Sequence, residues 1–526
     1  MNTKAFGIDL GTTHSVLAHI DYSGRAGVIP NTIGEEITPS TVYFEAPLEV
    51  TVGTTAKNSA VVEPRNFSQL VKRHLGSPGV RYPHHGHDYT PMEISALVLK
   101  YLAECGRKAT GVVVEDVVIT VPAHFGVAER KATRAAGEIA GFKVRDVIVE
   151  PVAAALHYGF GKGAADGVRH VLVCDLGGGT YDTTVIRIEG DHIQVLCTKG
   201  EGNLGGADWD ARVRDFLVDE FIRKHPRTDP TADEVFLHDV TQRAEKLKKE
   251  LSTAQTRSTD LRFRGEVVRV ELTREKLEEL TADLVSRVTD LTRLTVQEAE
   301  RKGVRELDDV LLVGGMSKSP AIGAAIHGLL GIEPKLHEPH LAVAKGAAIF
   351  ASRQQVRISE NVKPDSENGI GIPTATVVSR GIGVKAIDPS DPMVEINPMN
   401  ARKVVQHILL SGETLPTRSE PYPFGIVYAN SRMAEIEVWE QKGVEDSMEL
   451  SANRLVGKGF LRDMPPKPKG AHILIWFAMS ETGELSVHAS DPDSQAQVQF
   501  ELRIEGLSEP DVEQSRAWIA RHRVQG

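Results

Sequence analysis

The stretch Val171–Thr184, VLVCDLGGGTYDTT, decides how the chain is read. Val171–Cys174 is an unbroken apolar run, as expected of a short strand covered on both faces, where alternation is not required. Asp175 stands where that strand ends. Gly177, Gly178 and Gly179 follow as a turn without β-carbons, whose bare N–H groups form a concavity suited to phosphate oxygens. Thr180 and Asp182 add a hydroxyl and a second carboxylate. Two carboxylates beside a phosphate cradle suit Mg2+, which keeps most of its waters and is held through them. Taken alone, the stretch also fits an ordinary glycine-rich hairpin with solvated acids.

Phe6–Ser15, FGIDLGTTHS, has the same grammar. Asp9-Leu10-Gly11 repeats Asp175-Leu176-Gly177 at the end of an apolar strand, and Thr12 and Thr13 follow. The repeat predicts two similar lobes, each offering a hairpin to one phosphate chain between them. It also places Asp9, Asp175 and Asp182 around one metal.

At 526 residues, with 41% hydrophobic and 25% charged residues, the chain has the composition of a globular protein of several domains. A net charge of −11 argues against nucleic acid or an anionic membrane as the main partner. MNTKA runs directly into the first strand without a signal-peptide pattern, and no apolar run reaches about eighteen residues. Cys105, Cys174 and Cys197 are too scattered for a disulfide framework or metal site. The cytoplasm is therefore the expected location.

Further along, Val71-Lys72-Arg73-His74 is a basic turn, and Arg81–Thr90 carries three histidines in what reads as a loop rather than a metal site. Pro91 opens a helix, Val112–Val121 reads as a buried strand, and Val127–Ala140 reads as a helix with Gly141 at its C′ position. Glu245, Lys248, Lys249 and Ser252 share one helical face, which on spacing alone is a solvated one. Val310–Pro320 is a strand ending in Gly314-Gly315. From about 353 to 376 the composition turns polar, as in a linker. Beyond it, alternation such as Val498, Phe500, Leu502, Ile504 predicts a β-sandwich to about Gly506. A short helix should begin at Ser508.

GIDLGTTHS, YTPMEISALVL, VVITVPAHF, VIVEPVAAALHYGF, CDLGGGTYD, LLVGGMSKSP and AVAKGAA follow one another in the order seen in the 70-kDa heat-shock (DnaK-type) chaperones, and the chain resembles that family almost end to end. The resemblance implies a two-lobed, actin-like (duplicated ribonuclease H-like) α/β ATPase domain over residues 1–366. A linker at 367–380 and a peptide-binding β-sandwich at 381–506 would follow, with 507–526 as the start of a helical lid that is otherwise missing. It implies ATP and ADP with Mg2+, the metal held by Asp9, Asp175 and Asp182 mainly through water. Gly11, Thr12, Thr13, His14, Gly177, Gly178, Gly179, Gly205 and Gly206 would surround the phosphates. Lys72 would assist hydrolysis, Glu150 and Asp175 would position metal and water, and Thr180 and Asp182 would stand near the γ-phosphate. Glu245, Lys248, Lys249, Ser252, Gly314, Gly315 and Lys318 match adenosine contacts, which reverses the solvated reading of that helix face. Lys249 and Lys318 stand where the family commonly has arginines, and His14 replaces an aromatic hydroxyl. Phe424 and Ile436 would line the peptide groove.

What the resemblance implies is a monomeric, ATP-hydrolysing chaperone that binds unfolded or extended clients, with J-domain and nucleotide-exchange partners. The alternative is a nucleotide-gated, non-enzymatic protein serving one dedicated partner. A kinase on the same scaffold leaves the sandwich unexplained.

Overall fold

The computed structural model describes residues 5–159, 167–190, 192–359, 374–443, 446–481, 483–494, 496–501 and 508–526. Leu502, Ile504 and most of the expected linker before Thr374 lie outside them. The described chain is mixed α/β, built around two six-stranded sheets of matching order. In the first, Phe6–Leu10 pairs antiparallel with His14–Ile20, which pairs with Ala26–Ile29. On its other side Phe6–Leu10 runs parallel to Asp116–Val121, which is followed by Lys143–Val149. In the second, Val168–Leu176, Tyr181–Glu189 and His192–Glu201 form the antiparallel set. Asp309–Val313 and Lys335–Leu336 add the parallel strands. Parallel strands need crossovers, and their helices cover the faces.

The helices tie the sheets together. Glu150–Gly159 leaves the last strand of the first sheet and packs on the second, while Ala342–Ser359 leaves the second and packs on the first. The two helices also pack on each other, so their small side chains (Ala153, Ala154, Ala347, Ala348) are fully buried. A subdomain with its own core, including Phe221, Phe236, Val240 and Leu261, is formed by Gly206–Lys224, Glu234–Leu251 and the hairpin Thr256–Phe263/Glu266–Thr273.

Two local expectations change. The strand begins at Asp116 rather than Val112, because Gly111, at φ 70°, ends the helix Pro91–Thr110 and the chain must cross to the sheet. Arg81–Thr90 is not a loop but carries a hairpin, Tyr82–His84 with His87–Tyr89. Its His84 is buried, stacked on Phe44 at 4.0 Å between ring centres.

Two facing sheets make the C-terminal β unit. One orders Lys403–Leu409, Ile382–Ile387, Ala434–Gln441 and Asn453–Leu461; the other is centred on His472–Met479 and Leu485–Ser490. Val384, Val438, Ile475, Phe477 and Val487 share its core. Ile436, expected at a groove, is 1% exposed and belongs to that core, because alternation turns it inward with Val438. Phe424 is half-buried on the edge strand Tyr422–Gly425.

Ser508 caps a helix, Glu509–Ala520, but this segment does not cover the sandwich as a lid remnant would. It packs on the first-lobe helices Pro91–Thr110 and Val127–Ile139. Arg523–Gln525 then adds a parallel strand to Glu49–Val52. Lys100 Nζ donates to the carbonyls of Ile519 (3.0 Å) and His522 (2.8 Å), and Trp518 stacks on His87. Ile519 is 0% exposed. An unpaired carboxylate there costs several kcal/mol, more than a three-residue ladder supplies. Ile519→Asp is expected to detach the segment, speeding amide exchange at 49–52 and 523–525 by more than about 10-fold. Exchange in Val171–Leu176 should stay unchanged.

Candidate functional site

Between the lobes lies a cavity of about 630 Å³. Its floor comes from the two matching hairpins, as the repeated tripeptide anticipates. Asp9 ends the strand Phe6–Leu10, and Gly11, Thr12, Thr13 and His14 follow along the cavity wall; opposite them stand Asp175, Gly177, Gly178 and Thr180. The turns are in contact. A β-carbon on Gly178 would fall 2.0 Å from Thr13 Oγ1, and one on Gly179 would fall 2.3 Å from Thr12 Cγ2. Gly179 and Gly205 sit behind this contact rather than on the cavity wall, whereas Gly206 reaches the wall.

Lys72 enters from the turn Val71–His74. Leu70 just before it has φ 58°, a left-handed conformation that costs a bulky residue about 1–3 kcal/mol and is retained mainly where function needs it. Lys72 is 5% exposed, pairs with Glu150 Oε1 at 2.8 Å, and lies 5.6 Å from the centre of the Phe125 ring. Arg73, which the sequence did not single out, reaches across the lobes. Its Nη2 donates to Gly179 O at 2.9 Å and to Asp208 Oδ2 at 2.6 Å.

The electrostatics of the floor are one-sided. Burial and the neighbouring Glu150 raise the Asp9 carboxyl to about 7, against the pull of Lys72. Asp175 is pushed well above the usual range by burial and by Glu150, Asp182 and Asp9. Burial also raises Glu150, while Lys72 opposes it. Asp182 lies beneath the cavity wall, 1% exposed, with Oδ1 bonded and Oδ2 without a hydrogen-bond partner among the described residues. Four carboxyls around one ammonium leave room for added positive charge, and a hydrated Mg2+ fits that deficit. Among the described residues, no group of three or more His, Cys, Asp or Glu is set to hold an ion directly.

The far end is built from the helix Glu234–Leu251 and the strand-end turn at Gly314-Gly315. Burial pushes Glu245 up, but Lys57 and Lys249 outweigh it and hold it at about 2. Lys57 belongs to the first lobe, so its ion pair with Glu245 closes the cleft from above. Lys248 is buried on Gly206 O (2.8 Å) and Asp210 (2.7 Å); Lys249, Ser252 and Lys318 line the wall. Spacing alone presented this face as solvated, and only the neighbouring lobe makes it part of a cavity. Burial, reinforced by Lys249, lowers His14 to about 3; burial, reinforced by Lys318, lowers His340 to about 4. Both imidazoles are thus neutral. His340, whose ring rests on Gly315, carries no motif that marks it in the sequence.

Asp9 keeps its proton up to about 7 in the fold, against an ordinary value of 3.8. Between those values the folded chain holds a proton that the unfolded chain has lost, so this group lowers metal-free stability as pH rises through that window. Asp9→Asn is expected to flatten part of the fall in melting temperature between pH 4 and 7, measured without divalent cation.

The Hsp70 protein family model matches residues 5–78 and 76–521, which is nearly the whole chain. Hsp70 proteins in general are ATPases that bind nucleotide with Mg2+ and act as ATP-dependent chaperones on client polypeptides. With the doubled hairpin cradle, the carboxylate floor and the β unit arranged as described, this chain belongs to the Hsp70 family.

Proposed function

We propose that this protein hydrolyses ATP in the cavity between its lobes and uses the cycle to control a β-sandwich that binds extended apolar segments. The observation that carries the reading is the buried Lys72–Glu150 pair set among Asp9, Asp175 and Asp182 at the meeting of two phosphate-binding turns. The matching strand orders support an actin-like duplication, with ATP spanning the cleft and adenosine at the Glu245–Lys249 end.

Thr12 and Thr13 donate hydroxyls to phosphate oxygens, and Lys72 Nζ offers charge where negative charge grows on the transferring group. Asp9, Asp175 and Asp182 would hold Mg2+ through its waters, and the charge it supplies there would neutralise the phosphates. Glu150 and Asp175 orient the attacking water. Its oxygen bonds to the γ-phosphorus as the bond to the bridging oxygen breaks, giving ADP and phosphate.

The route to the sandwich is short. Thr374–Ala375 adds a parallel strand to His192–Glu201. Val377 is buried in a core shared by the two lobes, and its neighbour Val378 in the core of the sandwich. Ser379 Oγ donates to Phe125 O at 3.0 Å, and Glu440 Oε1 accepts from Val127 N at 3.0 Å, at the start of a first-lobe helix. Burial pushes Glu129 up, yet Arg380 and Arg454 hold it at about 2. The edge strand bearing Phe424 offers main-chain groups for strand-like pairing with a peptide.

Single-turnover hydrolysis tests the reading. Lys72→Ala is expected to slow the chemical step by about 10²-fold, and an extended apolar peptide is expected to speed the wild type. Tight ATP binding without hydrolysis would instead favour the nucleotide-gated, non-enzymatic alternative. Glu440→Ala removes the acceptor at Val127 N and is expected to cut the stimulation by peptide about 5-fold or more, the scale of an ordinary coupling energy. Its peptide-free turnover should stay near wild type.

A further inference from the structure

We infer that His124 is a positioning residue for hydrolysis, one that clamps a single oxygen of Asp182 and leaves the other free for the reacting water or the hydrated metal. This rests on the ATPase reading above.

His124 sits in the loop between the first-lobe strand Asp116–Val121 and the helix Val127–Ile139, while Asp182 belongs to the second lobe, on Tyr181–Glu189. The contact therefore spans the cleft beneath the cavity. His124 makes it twice: its main-chain N–H donates to Asp182 Oδ1 at 2.9 Å, and ring Nδ1 lies 2.8 Å from the same oxygen. An oxygen already accepting from a main-chain N–H acts as an acceptor, so Nδ1 carries the proton of this second bond. Two donors on one oxygen fix both the position and the rotation of the carboxylate.

The surroundings keep the pair closed. His124 is 7% exposed and Asp182 is 1% exposed. Gly200 lies opposite Asp182 in the ladder, and a β-carbon on it would fall 2.6 Å from Asp182 Oδ1 and 2.7 Å from His124 Nδ1. With Oδ1 saturated, Oδ2 is buried and has no hydrogen-bond partner among the described residues. Buried carboxylate oxygens are rarely left so, because the lost hydration goes unreturned. Asp182 also faces Asp175 across the hairpin ladder. An oxygen held without a partner beside the phosphate cradle is thus prepared for a ligand that arrives with nucleotide. An oriented second partner of this kind is what keeps a reacting group within the narrow geometry that catalysis requires.

The test separates donation from mere filling of space. The Asn side-chain N–H occupies the place of Nδ1, whereas Gln reaches toward the place of Nε2 and leaves Asp182 Oδ1 with one donor fewer. In single-turnover hydrolysis with saturating Mg2+-ATP, His124→Leu and His124→Gln are expected to slow the chemical step by about 10-fold or more. His124→Asn is expected to stay within about 3-fold of wild type, and ATP affinity in all three should change less than about 3-fold. The inference is overturned if the Asn and Gln variants turn over alike, if His124→Leu keeps the wild-type rate, or if the whole loss appears as weaker ATP binding. Wild type and Lys72→Ala run beside them. Should wild type fail to hydrolyse ATP, or Lys72→Ala match it, the ATPase reading itself falls and takes this inference with it. A wild type that responds normally to Lys72→Ala isolates His124 as the point that failed.

Discussion

The structure hangs on a charge arrangement that is unfavourable by itself: carboxyls of Asp9, Glu150, Asp175 and Asp182 gathered around Lys72. A buried ion pair roughly cancels its own desolvation cost, so the Lys72–Glu150 bond does little more than offset taking those two groups out of water. Asp9 and Asp175 remain uncompensated and respond by holding protons. Such a floor is not a device for stability. It stores an affinity for added positive charge, on which a cation would draw only with both hairpins in place, since Asp9 and Asp175 come from different lobes.

The rest of the chain can be understood as what holds those lobes in register. The exchanged helices Glu150–Gly159 and Ala342–Ser359 cross at the base, and Lys57–Glu245 and Arg73–Asp208 bridge higher up. The sandwich is fastened twice: through Val377, Ser379 and Glu440 at the base, and through the strand Arg523–Gln525 at the first lobe. The segment 124–127 lies at the junction of these ties, with Asp182 at one end and Glu440 at the other.

What was legible in the sequence was chemistry placed at strand ends. Asp9, Thr12, Asp175 and Thr180 follow apolar runs within a few residues, so local pattern and function coincide. Lys72 and the face Glu245–Ser252 were different. Periodicity made that face look solvated, and only family resemblance moved it into the site, because its burial comes from Lys57 and the opposite lobe. His124, Arg73 and His340 left no local signal, since their partners are 58, 106 or 135, and 25 residues away in sequence. Ile436 shows the converse limit: the resemblance put it at a groove, but alternation along Ala434–Gln441 does not say which face meets the other sheet. Nor does a capped helix at Ser508 reveal that Ile519 and Arg523–Gln525 dock on the first lobe.

The adenosine end argues for where binding energy resides. Lys249 and Lys318 present compact ammonium groups, which lack the planar face that lets a guanidinium stack on a base. Lys249 is further occupied by Glu245 at 2.6 Å. His14 and His340, whose ring centres lie 6.3 Å apart, are neutral and flat, and offer a ring face and a polar edge instead of charge. On the proposed reading, a base on this wall would be recognised by packing and hydrogen bonding, with weak electrostatic support. The phosphate end, by contrast, joins two hairpin turns, Lys72 and a cation-hungry floor. On that reading, a site so weighted would grip the part of ATP that changes on hydrolysis more firmly than the part that does not. Loss of the γ-phosphate would then, on the same reading, shift the balance between lobe arrangements, which is the differential that a two-state switch requires.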